Sequence, residues 1–139
     1  MKTKLTLLVS CLVLGASTAS AQVIRREPVK CDLTPEQASV GAYLAENVTD
    51  PVKVVYTPQP VYPAALRVAG IQGKVTLKYV VDETGKAESC SIAIVSSSNE
   101  KFNDSAIATI LNSRFKPGDL NGTPVRQQVT QTINYTIAF

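Results

Sequence analysis

The chain has 139 residues, of which 45% are hydrophobic and 18% are charged, a composition typical of one folded domain rather than of a disordered chain. Its formal net charge is +3, and two of the basic residues, Lys2 and Lys4, lie at the N-terminus. Without them, 12 basic and 11 acidic residues leave a net charge of +1. This balance lacks the basic surface on which nucleic-acid binding depends, so we expect no nucleic-acid partner.

Residues 1–21 have the features of a secretory signal peptide. The basic stretch MKTK precedes an apolar run of 11 residues, LTLLVSCLVLG, and ASTASA then ends in Ala-Ser-Ala before Gln22. Because a membrane-spanning helix needs ~20 apolar residues, we expect cleavage after Ala21 and export of residues 22–139 to the periplasm. An uncleaved anchor in the inner membrane is the alternative. A lipoprotein site at LVSC is disfavoured, since cleavage before Cys11 leaves an apolar core of only about six residues.

Two cysteines, Cys31 and Cys90, remain after removal of the signal peptide. A pair of cysteines in an oxidising compartment is a disulfide candidate. The alternative is that Cys90 is a small buried apolar residue of a strand. The chain has no histidine, and structural zinc usually takes four nitrogen or sulfur ligands. We therefore expect no metal site, and nothing in the sequence indicates a cofactor.

Residues 22–50 are interpreted as an N-terminal extension with one short helix. In TPEQ, Thr34 is placed to cap a helix, a proline suits its first position, and Gln37 completes a capping box. The helix is predicted to run to about Glu46, although the glycine at position 41 weakens it.

The next segment predicts a short strand, an extended stretch and a short helix. VKVVY at 52–56 is the strand, and TPQPVYP at 57–63 is extended because each proline restricts the residue before it. The helix PAALRVAG begins at Pro63 and ends at Gly70.

A β-hairpin is predicted at residues 73–98. Alternate residues of its first strand are apolar, which is the period of a half-buried strand: Val75, Leu77, Tyr79 and Val81. The sequence DETG supplies the turn, with Gly85 available for a positive φ. The return strand is expected to place Cys90, Ile92 and Ile94 on one face.

A second helix and a last strand complete the pattern. Residues 99–114 carry apolar side chains at helical spacing: Phe102, Ala106, Ile107, Ile110 and Leu111. Residues 124–139 alternate again. The apolar side of that strand is expected to hold Val125, Val129, Ile133, Tyr135, Ile137 and Phe139. Its polar side is expected to hold Arg126, Gln128, Thr130, Thr132, Asn134 and Thr136.

These elements predict an α+β fold, a small two-layer sandwich in which a three-stranded antiparallel sheet packs against two helices. The apolar face of the sheet must be covered, and the helices are placed to cover it. The opposite face, lined by Thr, Gln, Lys and Asn, is expected to contact water.

Four motifs resemble the C-terminal domain of TonB and its relatives. They are YPAALRVAGIQGKVTLKYVVDETGK at 62–86, VSSS at 95–98, FNDSAIATILNSRFKPG at 102–118 and NGTPVRQQVTQTINYTIAF at 121–139. No single motif is specific, and the resemblance depends on all four occurring in family order at compatible spacing. It implies that residues 51–139 form a TonB C-terminal-like domain.

The resemblance implies a role in energy-dependent outer-membrane transport. Energy-transducing members capture an extended peptide of an outer-membrane receptor by adding it to the edge of this sheet, which is β-augmentation. In the family, the segment that contains Tyr62 and Pro63 packs beside the sheet. The last strand is the candidate edge, with these partner-binding residues: Gln128, Val129, Thr130, Gln131, Thr132 and Asn134. The expected partner is a protein, and an open edge also allows a homodimer by strand pairing.

The chain departs from a full energy transducer at its N-terminus. Such a protein has an uncleaved membrane helix and a long Pro-rich spacer. Here the N-terminus resembles a cleavable signal, and the spacer is reduced to roughly residues 22–60, without Pro/Lys or Pro/Glu repeats. Fully extended, that segment would reach about 130 Å, and it is shorter where it folds. Without a membrane helix and a long spacer, the sequence shows no evident means of transmitting force.

The sequence also bears on two other classes of function, an envelope structural domain and an enzyme. The alternative to a transport module is an envelope structural or assembly domain that binds glycan or protein. An enzyme is disfavoured, because the chain has no histidine for Ser-His-Asp or Cys-His chemistry and no acidic pair spaced for acid–base work. GIQGK at 70–74 is too short for a phosphate-binding loop. We therefore expect no small-molecule substrate.

Overall fold

The computed structural model describes residues 30–138 of the chain. The predicted signal peptide, its cleavage after Ala21 and Phe139 lie outside these residues.

The described chain forms helices and strands in the following order, with single 3-10 turns at Ala45–Asn47, Ser89–Ser91 and Glu100–Phe102. The α-helices are α1 (Pro35–Ala38), α2 (Ala64–Val68) and α3 (Asn103–Asn112). The strands are β1 (Lys53–Tyr56), β2 (Gly73–Val81), β3 (Ala93–Ser97), β4 (Arg114–Lys116), β5 (Gly118–Leu120), β6 (Thr123–Val125) and β7 (Gln127–Tyr135).

The main sheet is antiparallel, with the order β3-β2-β7. β2 and β7 pair along nine residues without a register shift, from Gly73 opposite Tyr135 to Val81 opposite Gln127. The ladder of β2 with β3 is shorter and has an irregularity after Thr76. The predicted α+β fold with a three-stranded antiparallel sheet is confirmed. Two small antiparallel ribbons, β1 with β4 and β5 with β6, flank this sheet.

The core lies between the sheet and the helices, as the apolar alternation predicted. Its buried members are Leu66, Val75, Leu77, Tyr79, Val81, Phe102, Ala106, Ile110, Phe115, Ile133 and Tyr135. The ring of Phe102 stacks on that of Tyr135 at a centroid distance of 4.3 Å. Burial of apolar area stabilises such a core by about 25 cal/mol per Å², so this layer fixes the position of β7.

The opposite face of the sheet is only partly exposed to water. Val80 points to that face and yet is 0% exposed. The chain returns over it there, because Glu88 donates its N–H to the Val80 carbonyl and the Ser91 hydroxyl accepts the N–H of Val80. The predicted wet face is therefore wrong at the hairpin end of β2.

The first helix is much shorter than predicted. The capping box between Thr34 and Gln37 is present, but α1 ends at Ala38 and does not continue to Glu46. Gly41 follows with a φ of +77°, a left-handed conformation that a helix cannot contain.

Two strand predictions also need correction. Cys90 lies in a 3-10 turn, so it is not part of the return strand, which begins at Ala93. The predicted last strand, 124–139, is divided in two. Asn121 and Gly122 have positive φ values, and the turn they form pairs β6 with β5. β7 then runs as a separate strand and ends at Tyr135.

The DETG turn forms as expected. Gly85 has a φ of +83°, and its N–H donates to the Asp82 carbonyl. A Cβ at Gly85 would lie 2.0 Å from the carbonyl oxygen of Phe115. The turn therefore requires glycine both for its backbone conformation and for close approach of β4.

Candidate partner-binding edge

β7 is an edge strand of the main sheet. Its inner side pairs with β2 along its full length, and no strand of residues 30–138 pairs with its outer side. An edge strand presents N–H and C=O groups that another chain can pair with. β7 carries no charged residue in QQVTQTINY, so it lacks the charges with which proteins commonly protect an edge.

The direction of each main-chain group follows from one contact. Gln128 donates its N–H to the carbonyl of Tyr43, at 2.8 Å, on the side away from β2. In an antiparallel ladder, the N–H and C=O groups of successive residues alternate between the two sides. Thr130, Thr132 and Asn134 therefore also direct their main-chain groups outward, and all three residues are exposed.

Two further residues of the predicted site, Val129 and Gln131, direct their main-chain groups toward β2. Val129 and Gln131 pair with Tyr79 and Leu77 of β2. The Tyr79 hydroxyl donates to the Gln131 side chain at 2.6 Å, and burial raises the pKa of this tyrosine. Of the six predicted partner-binding residues, the structure places three on the open outer edge, and Val129 and Gln131 belong to the internal packing. The sixth, Gln128, is already paired with Tyr43.

The lead-in segment, residues 57–63, lies along α3 and approaches the end of β7. The Ser113 hydroxyl donates to the hydroxyl of Thr57, and the Ser105 hydroxyl donates to the carbonyl of Val61. The Tyr62 ring contacts the ring of Tyr135 edge-on, at 5.8 Å, where β7 ends. At the start of β7, Val52, which precedes β1, donates its N–H to the side chain of Gln127. Val52 and Tyr62 therefore contact the two ends of β7.

Tyr62 and Pro63 fix the end of the lead-in. The Tyr62 hydroxyl donates to the carbonyl of Ile71, and its ring also meets Phe102 edge-on at 5.6 Å. Pro63 precedes the first residue of α2. Both residues thus have a structural role at the end of the lead-in.

A surface depression of about 550 Å³ lies where the lead-in meets the end of β7. It is lined by residues 59–62, residues 136–138 and Arg67.

Comparison with known proteins identifies the family. Residues 58–137 match the family described as Gram-negative bacterial TonB protein C-terminal, which is more than half of the chain. The chain belongs to this family. TonB C-terminal domains lie in the periplasm of Gram-negative bacteria, take part in TonB-dependent transport and interact with proteins such as outer-membrane receptors.

A solved structure shows the same fold. The TonB C-terminal domain of Pseudomonas aeruginosa has a TM-score of 0.55 at 24% identity, and the match covers 67% of this chain and 92% of that one. The TonB2 protein from Vibrio anguillarum has a TM-score of 0.47 at 26% identity, covering 81% and 99%. Curated protein sequences gave no match.

The N-terminal strap, defined here as residues 31–44, lies outside the residues matched to the TonB family. Arg126 holds it against the sheet. The guanidinium donates to both carboxylate oxygens of Glu88, at 2.6 and 2.7 Å, and to the carbonyls of Ala38 and Val40. Sequence reasoning treated Arg126 only as a charge at the start of the edge, and no local pattern signals partners so distant in the chain.

A disulfide joins the strap to the hairpin. Cys31 bonds to Cys90, with their Cα atoms 5.3 Å apart, within the range that disulfide geometry requires. Cys90 is positioned by the Ser89–Ser91 turn, against which α1 packs.

Asp50 is the centre of a small charge cluster next to the strap. It contacts Lys116 at 2.6 Å and Lys53 at 2.8 Å. Hydrogen bonds from Lys116 and then Lys53 lower the pKa of Asp50 to about 2. Residues 30–138 contain no group of His, Cys, Asp and Glu side chains that could hold a metal ion. They also contain no helix long and apolar enough to cross a membrane.

Proposed function

We propose that this chain is a periplasmic binding module of TonB-dependent transport that captures an extended peptide of an outer-membrane receptor or transporter. The peptide adds to the main sheet as a fourth strand beside β7. The observation that supports this most is the outer edge itself, where Thr130, Thr132 and Asn134 present unpaired main-chain groups along an uncharged strand.

Strand addition explains why an edge without charges is useful here. The N–H and C=O groups of the three outward residues pair with the main chain of the guest, which gives affinity independent of guest sequence. Specificity comes from the guest side chains that point to the helix side, where Val52 and Tyr62 contact the two ends of β7. The other edge of the sheet, β3, has only five residues and an irregular ladder, so it is a poorer template.

The proposal includes no catalytic role. TonB C-terminal domains act as protein-interaction modules. Charged groups of this chain such as Arg126 and Asp50 are engaged in ion pairs within the fold.

Proline scanning combined with affinity capture tests the proposal. The chain is used to capture partners from a periplasmic extract of its source, and the retained proteins are identified. Thr130→Pro and Thr132→Pro each remove an outward N–H and fix φ, so the fold should remain while capture falls at least about tenfold, as expected for lost main-chain bonds. Thr130→Ala and Thr132→Ala are the matched controls, because they keep the N–H and should capture normally.

Gln131→Pro should act differently. Its N–H points to β2, so this substitution breaks the inner ladder and should destabilise the fold. Folded Thr130→Pro and Thr132→Pro proteins that capture partners as well as the unmodified chain would show that β7 is not the site. That result would favour the envelope structural alternative. Self-association of the chain that is lost in the same two variants would instead show a homodimer through this edge.

A further inference from the structure

The strap occupies the beginning of the edge that the proposed guest uses. Tyr43 donates its N–H to the carbonyl of Arg126, and Gln128 donates its N–H to the carbonyl of Tyr43, both at 2.8 Å. The two contacts form a parallel bridge between Tyr43 and Gln127. Tyr43 therefore makes the main-chain contacts that a residue of an added strand would make.

The strap does not continue along β7. The chain leaves the edge at Leu44, which precedes the 3-10 turn Ala45–Asn47, and then Asp50 pairs with Asp119 of β5. Arg126 and the Cys31–Cys90 disulfide fix the part of the strap that precedes Tyr43 in the chain. A single residue, held from both directions, thus closes one end of an otherwise open edge.

We propose that Tyr43 is a register stop for the guest strand. This inference rests on the proposed function. The guest is an extended segment that pairs with about five residues of β7, from Thr130 to Asn134, and its end next to Gln128 meets Tyr43. There the partner chain turns away from the sheet.

A fixed stop determines which guest side chains point to the helix side of the sheet. A shift of one residue in a strand moves every side chain to the other face. A shift of two residues toward the start of β7 keeps the faces but requires the positions that Tyr43 fills. Tyr43 therefore removes that register from the choices open to a guest.

Two variants of the complete exported chain separate the stop from the stability of the strap. Tyr43→Pro removes the N–H that donates to Arg126 and should release the edge. Leu44→Pro is the matched control. The N–H of Leu44 donates no hydrogen bond to the described residues, and its φ of −85° is close to that of proline. Circular dichroism and thermal unfolding verify that both variants fold.

The probe is a phage-displayed library of random 12-residue peptides, selected separately on the unmodified chain and on each variant. The selected peptides are synthesised, their affinities are measured, and amide exchange of β7 and Tyr43 is followed by NMR. Without peptide, Gln128 should exchange slowly in the unmodified chain and in Leu44→Pro, and at least about tenfold faster in Tyr43→Pro.

With peptide, the three chains should differ in how far protection extends. Peptides selected on the unmodified chain and on Leu44→Pro should protect Thr130, Thr132 and Asn134 and leave Tyr43 protected. Peptides selected on Tyr43→Pro should also protect Gln128. They should bind that variant about five- to thirtyfold more tightly than the unmodified chain, as one or two further main-chain hydrogen bonds provide.

Three results would overturn the register stop. One is loss of Tyr43 protection when peptide binds the unmodified chain, because the guest then displaces it. Another is protection that begins at Thr130 in all three chains. The third is an equal effect of Leu44→Pro and Tyr43→Pro on Gln128. If no selected peptide protects any outward amide of β7 in any chain, the proposed function itself fails and the inference fails with it.

Discussion

Two regions meet at β7, and different forces hold them. The sheet and α3 are held by a continuous apolar core in which residues such as Phe102 and Val75 are 0% exposed. The strap is held by a disulfide, by hydrogen bonds from the Arg126 guanidinium to two of its carbonyls and by the main-chain hydrogen bonds of Tyr43. Its apolar side chains stay largely outside, with Val40 at 73% and Leu44 at 45% exposure.

This difference separates a stable core from a strap of lower local stability. A region with few buried apolar contacts opens locally at a lower free energy than the core around it. The core therefore fixes the position of β7, while the strap covers the beginning of its outer edge. Substitutions in the two regions should have separable effects on global unfolding and on protection of the edge.

The largest effect is expected in the core. Phe102→Ala removes a ring that stacks on Tyr135 and meets Tyr62 edge-on. Because it leaves a cavity, the free energy of unfolding should fall by about 3–5 kcal/mol, measured by urea denaturation. Leu111→Ala is the control, since Leu111 is 40% exposed, and it should cost less than about 1 kcal/mol. Equal losses in both variants would contradict the assigned core.

Loss of the disulfide should have the next largest effect. Cys31 and Cys90 are separated by 59 residues, for which the chain-entropy model gives a contribution of at most about 4 kcal/mol. Cys31→Ser combined with Cys90→Ser should lower global stability within that limit and should speed amide exchange first in the strap. Thiol titration of the denatured, unmodified protein checks the bond directly. Two reactive thiols in a periplasmic preparation would rule it out.

Arg126 should contribute less than the disulfide and more than an exposed ion pair. Arg126→Gln removes a bidentate contact to Glu88, and the two side chains are only 27% and 26% exposed. We expect a loss of about 1–3 kcal/mol together with faster exchange of Gln128. Lys116→Gln, which breaks an exposed pair with Asp50, is the control and should leave Gln128 protected. Unchanged Gln128 exchange in Arg126→Gln would show that the strap does not depend on this residue.

The smallest effect concerns pH. Hydrogen bonds from Lys116 and Lys53 lower the pKa of Asp50 from 3.8 to about 2. A carboxyl group with a lowered pKa in the folded state stabilises that state above its unfolded pKa, and this contribution is lost as pH falls toward the folded pKa. Urea midpoints should therefore decline between about pH 4 and 2, and Asp50→Asn should make that decline shallower. An identical decline in both proteins would contradict the assignment.

The local patterns of the sequence were sufficient for the sheet and most of its core. Alternation in β2, the apolar stripe of α3 and the glycine of the DETG turn each depend on neighbouring residues. Together they predicted the three-stranded sheet and its buried face correctly. The stripe was wrong at Leu111, which is 40% exposed. The capping box at Thr34 was also local, but the predicted length of α1 was wrong, because the chain adopts a left-handed conformation at Gly41, which the sequence analysis took only to weaken the helix.

The details of the edge depended on contacts between distant parts of the chain. The parity of the outward N–H groups on β7 follows from Tyr43, which lies more than 80 residues earlier in the sequence. The partners of Arg126 likewise come from Glu88 and from the carbonyl of Val40, and no periodic pattern records such pairs. The predicted site residues were therefore placed on this strand without a direction for their main-chain groups, and in the structure Thr130, Thr132 and Asn134 direct theirs away from β2.

Amide exchange of β7 in complex with the captured envelope partner tests the strand-addition proposal most directly. We predict that the amides of Thr130, Thr132 and Asn134 exchange freely in the isolated chain and at least about tenfold more slowly in the complex. Val129 and Gln131, already paired with β2, should be slow in both. A bound partner that leaves the three outward amides exchanging as in the free protein would contradict strand addition at this edge.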